Sequence, residues 1–553
     1  MKVRAVLLRG LAFGVLVGFG ASCSDDDDGG NGPSAPATPT GLTAVAQDDG
    51  SIQVTWNAVA DATSYTLERN DPASTDVFAQ VGGPITTNSY TDTDVEPGFE
   101  YGYRVSAVNA VGASSPSSVV TVSEGAKVAT LSGSITADRT LFADTVYTIQ
   151  GVVKVSNGAV LTIQPGTRLE GDSETAGSSL WILRGSQLDA EGSAAEPIVF
   201  TSNRPEGSRA PGDWGGVILV GNGIINREGV VNTEGPAEIA ENYGGGTDNA
   251  DNSGTIRYVR IEFAGYDISG GGNSELNSLS MYAVGSGTTV EYVESLAGLD
   301  DSFEWWGGAV DSRYLLSYEA GDDHFDSSEG HVGRHQFLIG FQSTRLEPAV
   351  GTGVVATDPQ GFEMDGCAGS GCANGTRSEP FTDPIFANVT LVGNPAEPQT
   401  SGGRGIVLRR GHMGFLSNLV LARWVHAVSV RDTSVTLAIR DSANIVNTIL
   451  AENAAAYEGS SDPAFTDAEF TTLFSADNHR TAATAASVIT NLTPGSFDWS
   501  PTGDAATGCN TVGIPAEYDV TNFFGGTLAL PEYCGGAAPG DTWYQGWTSY
   551  ATE

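Results

Sequence analysis

Three segments near the start of the chain, "SIQVTWNAV", "SYTLERN" and "FEYGYRVSAVNAVG", alternate apolar and polar residues with period two. That period turns one face of an extended chain inward and the other to water, so it predicts half-buried antiparallel strands. Their spacing suits a small sandwich over residues 36–123, with Trp56, Tyr101 and Tyr103 on its inner face. From residue 128 the pattern changes. Short strands such as "GVVKVSNGAVLTIQPGTRLEG", "SSLWILRGSQLDAEG" and "PIVFTSN" alternate with Gly, Asn and Pro turns, with no helical period between them. The chain also overlays itself at a shift of 22 residues, "VEYVESLAGLDDSFEWWGG" from Val290 on "SRYLLSYEAGDDHFDSSEG" from Ser312. A repeat of that length fits one coil of a parallel β-helix, predicted over residues 128–450. Residues 451–553 lose the repeat: "DPAFTDAEFTTLFSADNH" suits a short helix and "DTWYQGWTSY" gathers aromatic rings. A cap or side-packing segment is expected there, because an open last coil leaves backbone groups unpaired. Trp543, Tyr544 and Trp547 are candidate rings for stacking on carbohydrate.

The first residues read differently. Lys2, Arg4 and Arg9 precede "GLAFGVLVGFGAS", an apolar run too short to span a bilayer comfortably but long enough for a signal-peptide core, so residues 1–22 read as an export signal. Gly20, Ala21 and Ser22 stand before Cys23. This junction resembles the lipobox of bacterial lipoproteins, although Gly20 occupies a position that is usually Leu; the resemblance implies lipidation of Cys23. Residues 23–35 carry Asp25 to Asp28 and then a Gly/Pro-rich linker, a block that has nothing apolar to bury and remains solvated. An acidic run after the cysteine resembles the surface-export signal of some outer-membrane lipoproteins, which implies a lipid-anchored protein of the cell outer membrane facing the exterior; a plain periplasmic tether is the alternative.

Two further resemblances concern the folded modules. "PGFEYGYRVSAVNAVGASSPS", with Pro39, Trp56, Tyr65 and Tyr101, resembles a fibronectin type III domain. The repetitive body resembles the right-handed parallel β-helix of the pectate-lyase-like superfamily, and "GDWGGVILVGNG" and "GLDDSFEWWGG" resemble segments of bacterial surface lipoproteins with such a body. The implied fold is all-β, a sandwich followed by a β-helix.

Charge and cysteines narrow the partners. A formal net charge of −41 would repel a phosphate backbone, which excludes nucleic acid and suits a cation-rich exterior. Apart from Cys23, four cysteines remain; in an exported chain proximity favours the pairs Cys367–Cys372 and Cys509–Cys534, with a zinc site as the competing reading.

The 22-residue overlay stacks Asp300 on Asp322, Asp301 on Asp323, Phe303 on Phe325 and Glu304 on Asp326; "GFEMDG" adds Phe362 and Glu363. With the phenylalanines inward, Glu304, Asp326 and Glu363 form an external ladder. Carboxylates ~4.8 Å apart repel by about 1 kcal/mol in water and about 3 kcal/mol at an effective dielectric near 20. Bound Ca²⁺ would offset this with Asp300, Asp301, Glu304, Asp322, Asp323, Asp326 and Glu363 as ligands. Raised carboxyl pKa values, equipping a general acid, are the second remedy, and solvated aspartates at rung corners the third reading. His324, His331 and His335 could join Asp322, Asp323 and Asp326 around a transition metal. Arg409, Arg410 and His412 form a basic spot in an acidic chain. The superfamily's lyases use a basic residue beside calcium to take a proton next to a uronate carboxylate, so the catalytic candidates are Asp322, Asp323, His324, Arg409, Arg410 and His412.

The leading expectation is a surface lipoprotein presenting a calcium-supported β-helix to a polysaccharide or a surface protein. A lyase or hydrolase of acidic glycans and a structural stalk or envelope component are the alternatives. Because lipidation needs the thiol, Cys23→Ala should move the protein from the detergent phase to the aqueous phase with its ectodomain intact; unchanged partitioning would contradict the anchor.

Overall fold

A computed structural model describes residues 34–552 apart from 48–49, 72–73, 96–99, 124–126, 236, 268–274, 395–401, 433–444 and nearly all of 459–478. Residues 1–22, expected to be an export signal, Cys23 and the aspartate run lie outside the described residues, as does almost all of the segment expected to carry a short helix. The chain divides into two compact units, Met1–Gly125 and Ala126–Glu553.

The first unit is a sandwich of two antiparallel sheets, one of strands Thr43–Ala46, Ile52–Thr55 and Ser89–Asp92, the other of Ser64–Asp71, Ser74–Gln80, Glu100–Val108 and Val120–Ser123. The alternation works as read: Trp56, Tyr65, Tyr101 and Tyr103 are buried with Ile52, Val54 and Val105. Two phenols are also satisfied, since Tyr65 Oη accepts from Val59 N at 2.8 Å and Tyr103 Oη donates to Asp92 at 2.8 Å.

The second unit is a right-handed parallel β-helix. Two long sheets run its length, and from Gly254–Glu262 onward each coil contributes one strand to each; the earlier coils add a further row, Arg139–Leu141, Val160–Ile163 and Gln187–Glu191, that merges into the first sheet at Gly254–Glu262. Thr289–Leu296 pairs in parallel with Asp311–Tyr318, Thr289 beside Asp311, and Phe303–Trp306 pairs with Phe325–Ser328, Phe303 beside Phe325, which is the 22-residue shift seen in the sequence. Inside, Phe303 stacks on Phe325 at 5.6 Å and Phe325 lies tilted against Phe362 at 5.3 Å. Apolar residues from Leu131 to Leu450 form one continuous buried core.

The long strands bend at a single residue of positive φ, and these residues stack. Tyr258, Tyr292, Tyr314 and Phe337 occupy the bend first, then Asn388, Asn418 and Asn447, at φ between 48° and 65°. Asparagine tolerates this conformation because its short amide bonds locally; an aromatic residue meets a steric penalty there. Stacking offsets that penalty: successive rings lie 4.4, 4.5 and 5.0 Å apart and nearly parallel.

The coils continue past residue 450. Ala455–Glu458 pairs with His426–Val430, and His479–Ala482 pairs with Ile445–Ala451. The boundary expected at 450 is therefore too early, because "AENAAAYEG" replaces large alternating residues with alanines and hides the rung. The C-terminal segment then runs back along the flank of the β-helix. Asn418 Nδ2 donates to the carbonyls of Pro531 and Tyr533, and Ser549 N donates to the Glu294 carboxylate at 2.9 Å. Trp547 and Trp543 lie against the ring stack, at 5.6 Å from Tyr258 and 5.3 Å from Tyr314. Tyr544 and Trp547 are buried, and Trp543 is partly buried against the same cluster. The carbohydrate-stacking expectation for Trp543, Tyr544 and Trp547 is thus corrected, since the protein's own tyrosines occupy those rings.

Both local disulfides form, Cys367–Cys372 and Cys509–Cys534. The second closes a loop in the flanking segment with a sequence separation of 25. Replacing Cys509 and Cys534 by serine should lower unfolding free energy by about 3 kcal/mol through the freed loop, measured by urea titration; an unchanged midpoint would contradict this.

Candidate functional site

Period-two alternation on the second sheet places two columns side by side on its outer face. Phe303 and Trp305 point inward, so Glu304 and Trp306 point outward; the next rungs bring Asp326 with Ser328, then Glu363 with Asp365. One column reads Glu304, Asp326, Glu363, and its neighbour Tyr282, Trp306, Ser328, Asp365, Arg409. The turn before each strand adds Asp300 and Asp301, then Asp322 and Asp323.

All of these groups except Tyr282 line one cleft of about 430 Å³. Its walls also carry Arg227 and Glu234 from the 221–253 excursion, Glu275, Glu329, and Gly366, Ala368 and Gly369 of the disulfide-closed loop. The ladder expected on an open surface is therefore roofed. Glu304, Asp326, Asp301 and Asp323 are buried, while Asp300, Asp322 and Glu363 are half-buried.

The aspartates divide by their partners. Asp301 N donates to Asn277 Oδ1 at 3.2 Å, Asp323 N to Asp301 Oδ1 at 2.9 Å, Gln360 N to Asp323 Oδ1, and Arg404 N to Gln360 Oε1 at 3.0 Å. Each side chain holds the amide of the following rung, so Asp301 and Asp323 keep one oxygen for structure and one for the cleft; they stand at rung corners but are buried rather than solvated. Asp322 Oδ1 and Asp326 Oδ1 are buried atoms with no hydrogen-bond partner among the described residues. Three overlapping trios, Asp300/Asp301/Asp322, Asp301/Glu304/Asp326 and Asp323/Asp326/Glu363, each bring carboxylate oxygens within 4.8 Å of one another. Two oxygens bound to one Ca²⁺ at ~2.4 Å lie no more than ~4.8 Å apart, so the trios have the span of a calcium ligand set, and their all-oxygen chemistry suits a hard cation.

Burial first, and neighbouring carboxylates second, push these groups upward: Asp322 to about 7, Glu363 to about 8, and Asp300, Asp301, Glu304, Asp323 and Asp326 well above the usual carboxyl range. Glu234 rises to about 8 for the same leading reason.

The basic spot is brought to the cleft only in part. Arg409 donates to Asp365 at 2.5 Å and to Glu363, and Arg410 donates to Asp365. Burial works downward on Arg409, yet Asp365 and Glu363 outweigh it and push its pKa further up, so it serves as a fixed cation rather than a base. His324 and His412 are absent from the cleft. His324 Nδ1 bonds to Ser317 Oγ at 2.6 Å and burial lowers its pKa to about 3; His412 is buried and likewise lowered to about 3. His331 and His335 bond to each other, Nε2 to Nε2, at 2.8 Å. Because Gly307 O at 2.9 Å can only accept from His331 Nδ1, His335 donates through Nε2 and accepts Ser312 Oγ–H through Nδ1. The transition-metal reading is corrected accordingly: these imidazoles fill the interior while the carboxylates face the cleft. Asp365 and Trp306 were missed, although each stands two residues beyond a ladder carboxylate; Arg227, Glu234, Glu275 and Glu329 carried no such signal.

The chain matches a known family model, the pectate-lyase-like β-helix domain, over residues 133–500. The chain belongs to that family. Residues 37–123 match the fibronectin type III domain. Among curated proteins, this pectate-lyase-like β-helix protein is 39% identical over 87 residues to the poly(3-hydroxybutyrate) depolymerase of Ralstonia pickettii, covering 16% of each chain. It is 28% identical over 95 residues to the amylopullulanase of Thermoanaerobacterium saccharolyticum, covering 17% of this chain and 7% of that one. It thus spans about a sixth or less of these relatives. Among solved structures, a Fn3-like protein from Clostridium thermocellum is 39% identical, covering 16% of this chain and 92% of that one, with a TM-score of 0.15. The family match supports a polysaccharide-related role.

The two buried populations titrate with opposite signs. Depressed imidazole values add stability above the free value near 6.5 that is lost as pH falls toward about 4; raised carboxyl values add stability at low pH that is lost as pH rises through about 7 to 8. Between pH 6.5 and 8 only the carboxyl limb acts. In EDTA, urea-unfolding free energy should therefore fall across that interval by up to about 1.4 kcal/mol per pH unit for each group titrating; a flat profile would contradict it.

Proposed function

We propose that this protein binds acidic polysaccharide through divalent cations, of which calcium is the best suited, held in the carboxylate cleft of its β-helix. The observation that carries the reading is the set of three overlapping carboxylate trios, together with unpartnered oxygens of Asp322 and Asp326. Without a cation their burial leaves the protein a choice between protonation and repulsion. With one, a coordination position can pass to a carboxylate of the glycan, so an acidic protein binds an acidic chain. Asp300, Asp301, Glu304, Asp322, Asp323, Asp326 and Glu363 are the proposed ligands.

The placement that fits this role is the cell surface. Cys23, preceded by small residues and an apolar run and followed by Asp25 to Asp28, supports a lipid anchor in the outer membrane facing the exterior, with the fibronectin module as spacer. A lyase or hydrolase acting on the same glycans is the second reading, favoured by the presence of Arg409 and Arg410 at the cleft. Of the two, Arg410 is the candidate for substrate contact, because its side chain is the more exposed.

The test is a melting series in EDTA and in millimolar calcium. A ligand that binds only the folded rungs should add about 2.7 kcal/mol at a hundredfold excess over its dissociation constant. Asp322→Asn with Asp326→Asn should remove most of that increment yet raise stability in EDTA, because the repulsion has gone. Coincident wild-type curves would overturn the cation site, and a screen of acidic and neutral glycans with and without calcium, read for binding and for unsaturated products, separates binder from lyase.

A further inference from the structure

Beside the carboxylate column runs a second one, Tyr282, Trp306, Ser328, Asp365. One face of Trp306 is covered: it stacks on Tyr282 with ring centres 5.5 Å apart and planes within 18°. Tyr282 is the only aromatic ring packed on it among the described residues. The next rung offers only Ser328 in the same register, so the large indole is followed by a small hydroxymethyl group where the cleft opens. Trp306 is half-buried and lines that cleft. Ser328 lines it too; it is 6% exposed, and its Oγ has no hydrogen-bond partner among the described residues. Gly366 and Ala368 are small wall residues, and Arg409, paired with Asp365, closes the far end three rungs beyond Trp306.

We infer that Trp306 and Ser328 form a pyranose subsite for one uronate residue of the bound glycan, a conclusion that rests on the cation-dependent reading above. Residues two apart on a strand face are ~6.8 Å apart and successive rungs ~4.8 Å, so a ring lying on Trp306 carries its carboxylate toward the Glu304/Asp326 trio. Its apolar C–H face meets the indole and a hydroxyl meets the unpartnered Ser328 Oγ. A ring without the carboxylate keeps the stacking and hydroxyl contacts but loses the cation. The subsite therefore selects sugars whose carboxylate projects from the ring edge.

Calorimetry with a galacturonate trimer in millimolar calcium, and with its methyl ester as the uncharged control, tests this. Trp306→Ala should weaken the trimer about tenfold, equivalent to about 1.4 kcal/mol, while leaving the calcium-induced melting shift intact. Trp306→Phe should stay within about threefold of wild type, and Ser328→Leu, which fills the niche, should lose binding with the calcium shift preserved. The ester should bind wild type weakly. Unchanged trimer affinity in Trp306→Ala and Ser328→Leu overturns the subsite while the acidic-glycan reading stands. Loss of the calcium shift in both variants also overturns it, because the residues then act through the fold. A wild-type protein that responds to calcium yet binds neither galacturonate nor mannuronate trimers overturns the acidic-glycan reading and the subsite with it.

Discussion

The in-register parallel pairing of successive coils governs the rest of this molecule. Once Phe303 lies beside Phe325, and Phe325 beside Phe362, every position of one rung falls on its equivalent in the next. Inside, that rule is favourable, because apolar side chains meet apolar side chains and the core runs unbroken along the axis. Outside, the same rule stacks carboxylate on carboxylate at a spacing the backbone sets and the side chains cannot escape. The acidic cleft is a consequence of the register that builds the core, and its electrostatic cost is maintained by the hydrogen bonds of two sheets.

That cost is managed in three distinct ways within one cleft. Asp301 and Asp323 commit an oxygen to the amide of the following rung. Glu363 and Asp365 share Arg409. Asp322 and Asp326 keep an oxygen unused. The first group gives one oxygen to the scaffold and one to the cleft, the second shares an internal cation, and the third holds an oxygen with no partner among the described residues. A simple count of acidic residues would have merged these roles.

Most of the fold was legible because period two and the 22-residue shift are local regularities that residue type displays directly. The ladder Glu304, Asp326, Glu363 was legible for the same reason, as were both disulfides. Four things were not. The coils after residue 450 use alanine and carry little alternation. The roof over the cleft comes from the 221–253 excursion, whose Arg227 and Glu234 are brought beside Asp300 only by folding. The aromatic cluster of Trp543, Tyr544 and Trp547 looked like a ligand platform because sequence gives no sign that Tyr258, Tyr292 and Tyr314 wait for it on the flank. Trp306, masked by Trp305 next to it, needed the inward and outward faces to be told apart.

The flanking segment has a consequence for the order of events during synthesis and folding. Coils can be added one after another as the chain emerges, each templated by the one before. The tyrosine stack from Tyr258 to Tyr314 is different, since its cover comes from residues 543–547 and its neighbour Glu294 is capped by Ser549. Some 250 residues separate the stack from its cover, and through that whole interval a strip of aromatic surface stays wet. The β-helix therefore closes like a coat buttoned from the hem after it has been put on: assembly proceeds in one direction along the axis, and completion returns in the other.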